Sequence, residues 1–445
     1  MNEETLFAGV ARRIITPPKG VYQIGYGDRT KGNIGVHDDL TATALVLEDG
    51  STRIAIVALD ILTINEFIVD RIRARLAPTE VLLCCSHTHS GPIAYADEKS
   101  SRLNRAYIDS LVDNIAEAIK EAQANLKPAH IEFSCGGGNV GINRRERMPD
   151  GRMEIGRNPE GARDSSVQVL SVFTDSPLPK GEGVGVRECL ATLVNYACHG
   201  TVLGPDNLLI SADWIGVMRK KVEEELGGLA MFIQGAAANI NPDMYWEDAH
   251  AFEKVAEQGL GVAEAVLAAT GSGAETMRGL PIQLERTQAW LPTETRVTTS
   301  RPPKNYGRKL LSLAKMPEFM AVFADVLLKQ RYPWKPVIEA KNGFWSVPMR
   351  INAVRIGDLA LVTFSAETFT EIGMKVKSAS PAKYTLFASV SDGCISYLHT
   401  EESHSEGGYE VDIAPLAYRY PGRLQAGCEG IALAKTDWLL KQLWS

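Results

Sequence analysis

Nowhere in this chain does an uninterrupted apolar run approach the roughly 20 residues a helix needs to cross a bilayer, so no segment reads as a membrane anchor. Nor is an export signal expected, because Glu3 and Glu4 stand where a signal peptide needs a basic flank ahead of an apolar core. A cytoplasmic protein is expected. Long Lys/Arg clusters are absent as well. With a net charge of −7, and arginine concentrated only in the mixed stretch from Arg144 to Arg157, the chain carries no nucleic-acid footprint. Its acidic balance favours a small-molecule substrate. The seven cysteines form an odd set without a CxxC pair, and disulfides are not expected in a reducing compartment. Cys198, beside His199, reads either as a nucleophile or as a small apolar residue facing a core.

What is present is enough for a sizeable core: 445 residues, 45% of them hydrophobic, make one large or two ordinary domains. Strand-like and helix-like runs alternate. Arg53–Leu62 is followed by the amphipathic stretch Asn65–Leu76, then Val81–Cys85, then Tyr107–Asn125, where Ile108, Leu111, Val112, Ile115 and Ile119 recur at helical spacing. This order predicts an α/β fold with parallel pairing. Further strands are expected at 130–134, 167–173, 189–197, 229–233, 351–356 and 359–364, with helices near 213–225, 249–269 and 430–443. Gly136-Gly137-Gly138 reads as a turn, Asn143 to Arg147 as part of an Arg-rich loop, and 176–185 as a flexible excursion. The segment 292–348, with an expected helix over 318–330, reads as a lid, a subdomain or an elaborated edge.

Three histidines carry the chemistry. Ser86-His87-Thr88-His89-Ser90-Gly91-Pro92 follows the apolar run Val81–Cys85, and His199-Gly200-Thr201 follows Ala191–Ala197. A buried strand that ends in such a turn places its next side chains at the sheet's carboxyl edge, where α/β proteins gather their chemistry. His87 and His199 there supply two of the roughly three ligands of a hydrolytic zinc site. The competing reading of each is a hydrogen-bonded structural histidine. The arginines at 144 and 145 read either as holders of an anionic substrate group or as a salt-bridged loop. Asp60 reads as a support for a ligand imidazole or as a turn residue. His130 and His250 are assigned to structure, and His399 and His404 stand between surface loop and substrate contact.

The two histidine motifs resemble those of the neutral/alkaline, non-lysosomal ceramidase family. The likeness extends to the opening, Ile15-Thr16-Pro17-Pro18, Gly25-Tyr26-Gly27 and Gly35-Val36-His37-Asp38, and keeps its order to the carboxyl end. It implies mixed β-sheets flanked by helices, in a single catalytic domain over 1–445 without the family's carboxyl-terminal immunoglobulin-like domain. It implies a zinc ion held by His87, His199, Glu367 and Tyr397. Glu367 lies in Phe364-Ser365-Ala366-Glu367-Thr368-Phe369, similar to the family's Gly-Glu-Phe-Thr turn. Tyr397 opens a stretch resembling Tyr-Val-Thr-Thr-x-Glu-Glu, and Tyr409 follows twelve residues later, as the family's second active-site tyrosine does. The resemblance gives His89 a proton-transfer role, Tyr409 a hydrogen bond to the developing oxyanion, and His37 a place lining the site.

One departure matters. Where ceramidases resemble Gly-Asp-Val-Ser-Pro-Asn, this chain reads Ala238-Asn239-Ile240-Asn241-Pro242, which puts Asn241 in the place of a serine. An amide is no nucleophile but can bind substrate or an oxyanion. Zinc-dependent cleavage of an amide (N-acyl) bond by metal-activated water is therefore expected, on a small or polar substrate rather than ceramide, with Arg144 or Arg145 reading an anionic group. The alternatives are an esterase or lactonase using the same centre, and a non-catalytic relative that binds a ligand. Oligomeric state, a homo-oligomer included, is left open.

Overall fold

Strand Arg53–Leu59 is apolar at every position after its first, so neither of its faces can be left to water. Ala55, Val57 and Leu59 turn to one side, under helices Glu66–Leu76 and Arg102–Ala124. Ile54, Ile56 and Ala58 turn to the other, where they meet Val354, Ile356, Leu359, Leu361 and Leu386 of a second sheet. The same two-residue alternation runs through Cys189–Tyr196 and Leu229–Gln234. There Leu193, Met231 and Ile233 face the second sheet, while Val194, Ala230 and Phe232 face helices Trp214–Leu226 and Phe252–Gly271. Each Leu, Ile or Phe buried in these interfaces contributes about 2 kcal/mol of transfer free energy.

The result, in a computed structural model that describes residues 5–445 except 27, 28, 30, 96–100, 175–187, 245–251, 272, 278–280 and 304–335, is four layers. Helices cover a nine-stranded mixed sheet, which packs on a five-stranded mixed sheet, which is covered in turn by helices Thr370–Ala379 and Cys428–Leu443. Parallel pairing occurs where a helix connects the strands: Arg53–Leu59 with Glu80–Cys85, Cys189–Tyr196 with Leu229–Gln234, and Leu359–Phe364 with Tyr384–Ala388. The α/β class expected from the alternation forms, and so do the mixed sheets implied by the resemblance; the parallel pairing expected from the alternation is confined to these pairs within the two large sheets, where the other ladders are antiparallel. Among the described residues no helix is long and apolar enough to cross a membrane.

Two local readings are corrected. Gly136 and Gly137 are not a turn: they continue strand Lys127–Gly137 and pair with Val167 and Ser166. The reason for glycine is close approach, since a Cβ on Gly136 would meet the Ala269 Cβ of the overlying helix at 3.0 Å. The Arg-rich stretch is not a loop either. Gly141–Arg147 is the middle strand of a three-stranded sheet between Met153–Asn158 and Ile240–Pro242. Of the segment 292–348, residues 292–296 and 344–348 belong to strands of the second sheet, and the expected helix over 318–330 lies outside the described residues, as does the excursion at 176–185. The seven cysteines are free.

Asn65 caps helix Glu66–Leu76 by accepting from the Phe67 amide, and Glu66 behind it packs on Gly393, where a Cβ would meet its Oε1 at 2.7 Å. Burial pushes the Glu66 carboxyl up to about 7 from its ordinary 4.5. The folded chain thus keeps a proton that the unfolded chain releases, and the stability this confers is complete below pH 4.5 and lost as pH rises through about 7. Wild type is expected to lose on the order of 3 kcal/mol more than Glu66→Gln over that rise. Denaturation free energies of the two proteins that run parallel across the range would refute this.

Candidate metal centre

Five chain segments end at one place, the carboxyl edge shared by the two sheets. Strand Glu80–Cys85 runs out into His87 and His89, Cys189–Tyr196 into His199, and Leu229–Gln234 into the turn leading to Asn241. From the second sheet, Leu359–Phe364 leads to Glu367 and Tyr384–Ala388 to Tyr397, which pair as neighbours in a short parallel ladder. The two sheets are stitched together there. The Ser389 amide donates to the Gln234 carbonyl at 2.8 Å, the Asp392 amide to Leu83 at 2.8 Å, and the Asn195 side chain to Phe387 at 2.9 Å.

The histidine turns are set by their backbones. His87 sits at φ +63°, a conformation that costs a non-glycine residue energy and recurs at functional sites. Its Nδ1 donates to the Leu62 carbonyl at 2.8 Å, and His199 Nδ1 donates to Ala237 at 2.7 Å. An imidazole whose Nδ1 faces a carbonyl carries its proton there and turns an Nε2 lone pair inward, the usual tautomer of a metal ligand. Thr88 and Gly200 bridge the two turns, and a Cβ on Gly200 would come within 3.0 Å of Thr88 Cα. Asp213, at φ +58°, accepts from the amides of Val202, Leu203 and Trp214, and Trp214 Nε1 donates to the His199 carbonyl at 2.8 Å.

Inside these turns the ligand atoms of His87, His89 and His199 lie within 4.8 Å of one another. Glu367 Oε2 stands 3.3 Å from His87 Nε2 and 3.5 Å from His199 Nε2. His87 Nε2, both nitrogens of His89 and Glu367 Oε2 are buried without a hydrogen-bond partner. Orphaned buried polar atoms are costly, and one nitrogen each from His87 and His89 beside Glu367 Oε2, nitrogen and carboxylate oxygen together, fit a divalent cation. Burial opposes ionisation of Glu367, but the facing imidazoles hold its pKa well below the usual carboxylate value. Burial lowers His199 to about 4, helped by the Arg144 guanidinium, and lowers His89 far below an ordinary imidazole. Burial and then the Glu367 charge push the Tyr397 hydroxyl well up.

The profile of the neutral/alkaline non-lysosomal ceramidase family, amino-terminal region, matches residues 7–240, more than half the chain. The chain belongs to that family. Among its ceramidase relatives are the neutral ceramidase of Pseudomonas aeruginosa, 24% identical over 466 residues that cover 88% of this chain and 66% of the relative. That of Mycobacterium tuberculosis is 26% identical over 251 residues, covering 50% and 38%. The chain thus spans less than two thirds of the length of these curated relatives. The crystal structure of the Pseudomonas aeruginosa neutral ceramidase superposes with a TM-score of 0.72 at 21% identity, covering 99% of this chain and 75% of that one, which shows a shared fold.

Within this ceramidase-type fold, His87, His89, His199, Glu367 and Tyr397 come together. Arg144 joins them: its guanidinium donates to Tyr397 Oη at 3.2 Å and Asn241 Oδ1 at 3.2 Å, and stands 3.5 Å from His199 Nε2. Tyr409 packs edge-on against Tyr397, ring centroids 5.7 Å apart. Arg145 does not join them. Its guanidinium is committed to Glu410, Glu406 and the Gly407 carbonyl. Nor does the position of His37 make it a wall of the cluster, since its ring stacks on Phe252 at 3.8 Å and bonds Asp38. Asp60 takes the turn role, accepting from Thr41 and pairing with Arg219, while backbone carbonyls support the imidazoles. Cys198 is fully buried with its thiol pushed well up, which leaves it a core residue. His130 is buried against Phe173, and His250 lies outside the described residues. His399 is buried with Nδ1 on the Thr400 carbonyl, and His404 pairs with Glu294.

Three contributors escape sequence reasoning. Glu410 grips both Arg144 and Arg145, Tyr418 donates to Glu367 Oε1 at 3.2 Å, and Gly25, at φ +119°, lets the chain lie against the His89 ring, where a Cβ would meet Nδ1 at 2.7 Å. Gly25 alone had a signal, its place in the opening motif.

Proposed function

We propose that this chain is a zinc-dependent amidohydrolase that cleaves the N-acyl bond of a small or polar substrate. The observation that carries the proposal is the convergence of three imidazoles and one carboxylate, with the inward atoms of His87, His89 and Glu367 buried and without a hydrogen-bond partner. His87, His199, Glu367 and Tyr397 would hold the ion. Once bound, it would supply a Lewis acid that polarises a carbonyl oxygen and acidifies water. His89, both of whose nitrogens lack protein partners, takes a proton from water and returns it to the leaving nitrogen. Tyr409 directs its hydroxyl to the carbonyl oxygen as charge develops there. Arg144 and Asn241 make the adjoining wall charged and polar, which supports a substrate with an anionic or polar group rather than two long lipid chains.

The test is elemental analysis of the purified protein, followed by hydrolysis assays on short-chain and long-chain N-acyl compounds and matching esters. Close to one zinc per chain and turnover of short-chain amides lost on chelation are expected. Undiminished turnover without metal would overturn the metal role, preference for long-chain N-acyl sphingoid bases would return the chain to ceramide chemistry, and activity on esters alone would make it an esterase.

Gly25→Ala should separate proton transfer from metal binding. The nearest atoms the added methyl would meet are all in His89, and it also puts alanine at φ +119°, so with the folded state checked by thermal melting kcat is expected to fall about 100-fold with zinc content unchanged. An unchanged kcat would remove the role assigned to His89.

A further inference from the structure

Three of the residues that aim a lone pair into the centre, His87, His199 and Glu367, are held from behind. For His87 and His199 the support is a backbone carbonyl on Nδ1. Glu367 is held by a side chain. Its backbone amide donates to the Ser396 carbonyl at 2.9 Å, its Oε1 accepts from the Tyr418 hydroxyl at 3.2 Å, and its Oε2 faces the two imidazoles. The two oxygens of one carboxylate thus have different tasks.

Tyr418 reaches this position through an irregular run. The π-turn Tyr409–Ile413 leads into the single helical turn Ala414–Ala417, and Arg419 then reverses the chain at φ +58°. Insertions of this kind cluster at functional sites. The run brings Tyr409 onto Tyr397, Glu410 onto Arg144 and Tyr418 onto Glu367. Behind the phenol lies Cys394 Sγ, 3.6 Å from the Tyr418 oxygen. Burial pushes that thiol up to about 12, so it keeps its proton and can donate it to the phenol oxygen, leaving the phenol's own proton for Glu367.

We infer that Tyr418 is a positioning residue for the metal: its hydroxyl occupies the outer oxygen of Glu367 and leaves only the inner one for a cation. The inference rests on the reading of this cluster as a metal centre. Outer partners of this kind set the orientation and basicity of a ligand, and their loss weakens metal binding 10–100-fold.

The experiment compares Zn²⁺ affinity, by competition with a chromophoric chelator, and the Co²⁺ absorption spectrum in wild type, Tyr418→Phe and Tyr420→Phe. Tyr420 is the control: it is a neighbouring buried tyrosine whose hydroxyl bonds the Ile395 carbonyl instead of a ligand. Tyr418→Phe is expected to bind Zn²⁺ about 10–100-fold more weakly with an altered Co²⁺ spectrum, while Tyr420→Phe lowers the melting temperature of the metal-free protein and keeps wild-type affinity. Wild-type affinity in a folded Tyr418→Phe overturns the inference alone, and no Zn²⁺ binding by wild type overturns the metal centre with it. If Tyr418→Phe does not fold, Cys394→Ala, which removes the thiol behind the phenol, is expected to weaken Zn²⁺ about 3-fold, and wild-type affinity there overturns the inference equally.

Discussion

Replacing His87 by alanine is expected to abolish metal binding and turnover together. The imidazole is buried, anchored through Nδ1 on the Leu62 carbonyl, and its Nε2 has nothing in the protein to bond. A ring held in that way has its inward lone pair available only to a cation or a substrate. Alanine removes it and leaves Glu367 facing His199 with half its imidazole partners gone. Turnover should fall by about 10³-fold or more, with less than a tenth of an equivalent of zinc retained after dialysis. The substitution also places alanine at φ +63°, so unfolding must be measured in parallel. Loss of turnover with full metal content would move His87 from the metal to the substrate. Full activity with no metal would end the proposed chemistry.

How much of this was legible before the structure follows from the range of the forces involved. Period-two burial and the turns after Cys85 and Tyr196 are local, so the strands, the α/β class and the convergence of His87 with His199 could be read from the order of residues. Glu367 and Tyr397 were placed only through the family resemblance, because an acid after an apolar strand is common. What could not be read is contact across distance. Tyr418 lies 51 positions from Glu367, and Glu410 lies 266 from Arg144, with no local pattern linking either pair. The arginines show the same limit. In a regular strand consecutive side chains point to opposite faces, but the register shifts between Asn143 and Arg145, and this bulge lets both Arg144 and Arg145 reach the one carboxylate of Glu410.

That carboxylate is where the largest loss of stability is expected. Glu410 is 2% exposed, with Oε1 on Arg144 Nε and Oε2 on Arg145 Nη1, both at 2.9 Å. Both arginines are themselves buried. Burial alone would raise the Glu410 pKa, yet the two guanidiniums hold it below the ordinary 4.5, so the attraction outweighs the desolvation of the acid. Glu410→Gln keeps the shape and removes the charge, leaving two buried cations side by side. Breaking a buried pair in this way costs about 3–5 kcal/mol, because the desolvation of the survivors is no longer offset. Adding Arg145→Met should recover part of the loss, since one of the two buried cations, left with Glu406 as its remaining carboxylate, goes with it. The sign with pH follows from the depressed pKa: the stability supplied by ionised Glu410 is complete above 4.5 and declines as pH falls below it, so the gap between wild type and Glu410→Gln narrows in acid. A Glu410→Gln protein within about 0.5 kcal/mol of wild type at neutral pH would show that the triad contributes no net stability, as some buried ion pairs do not.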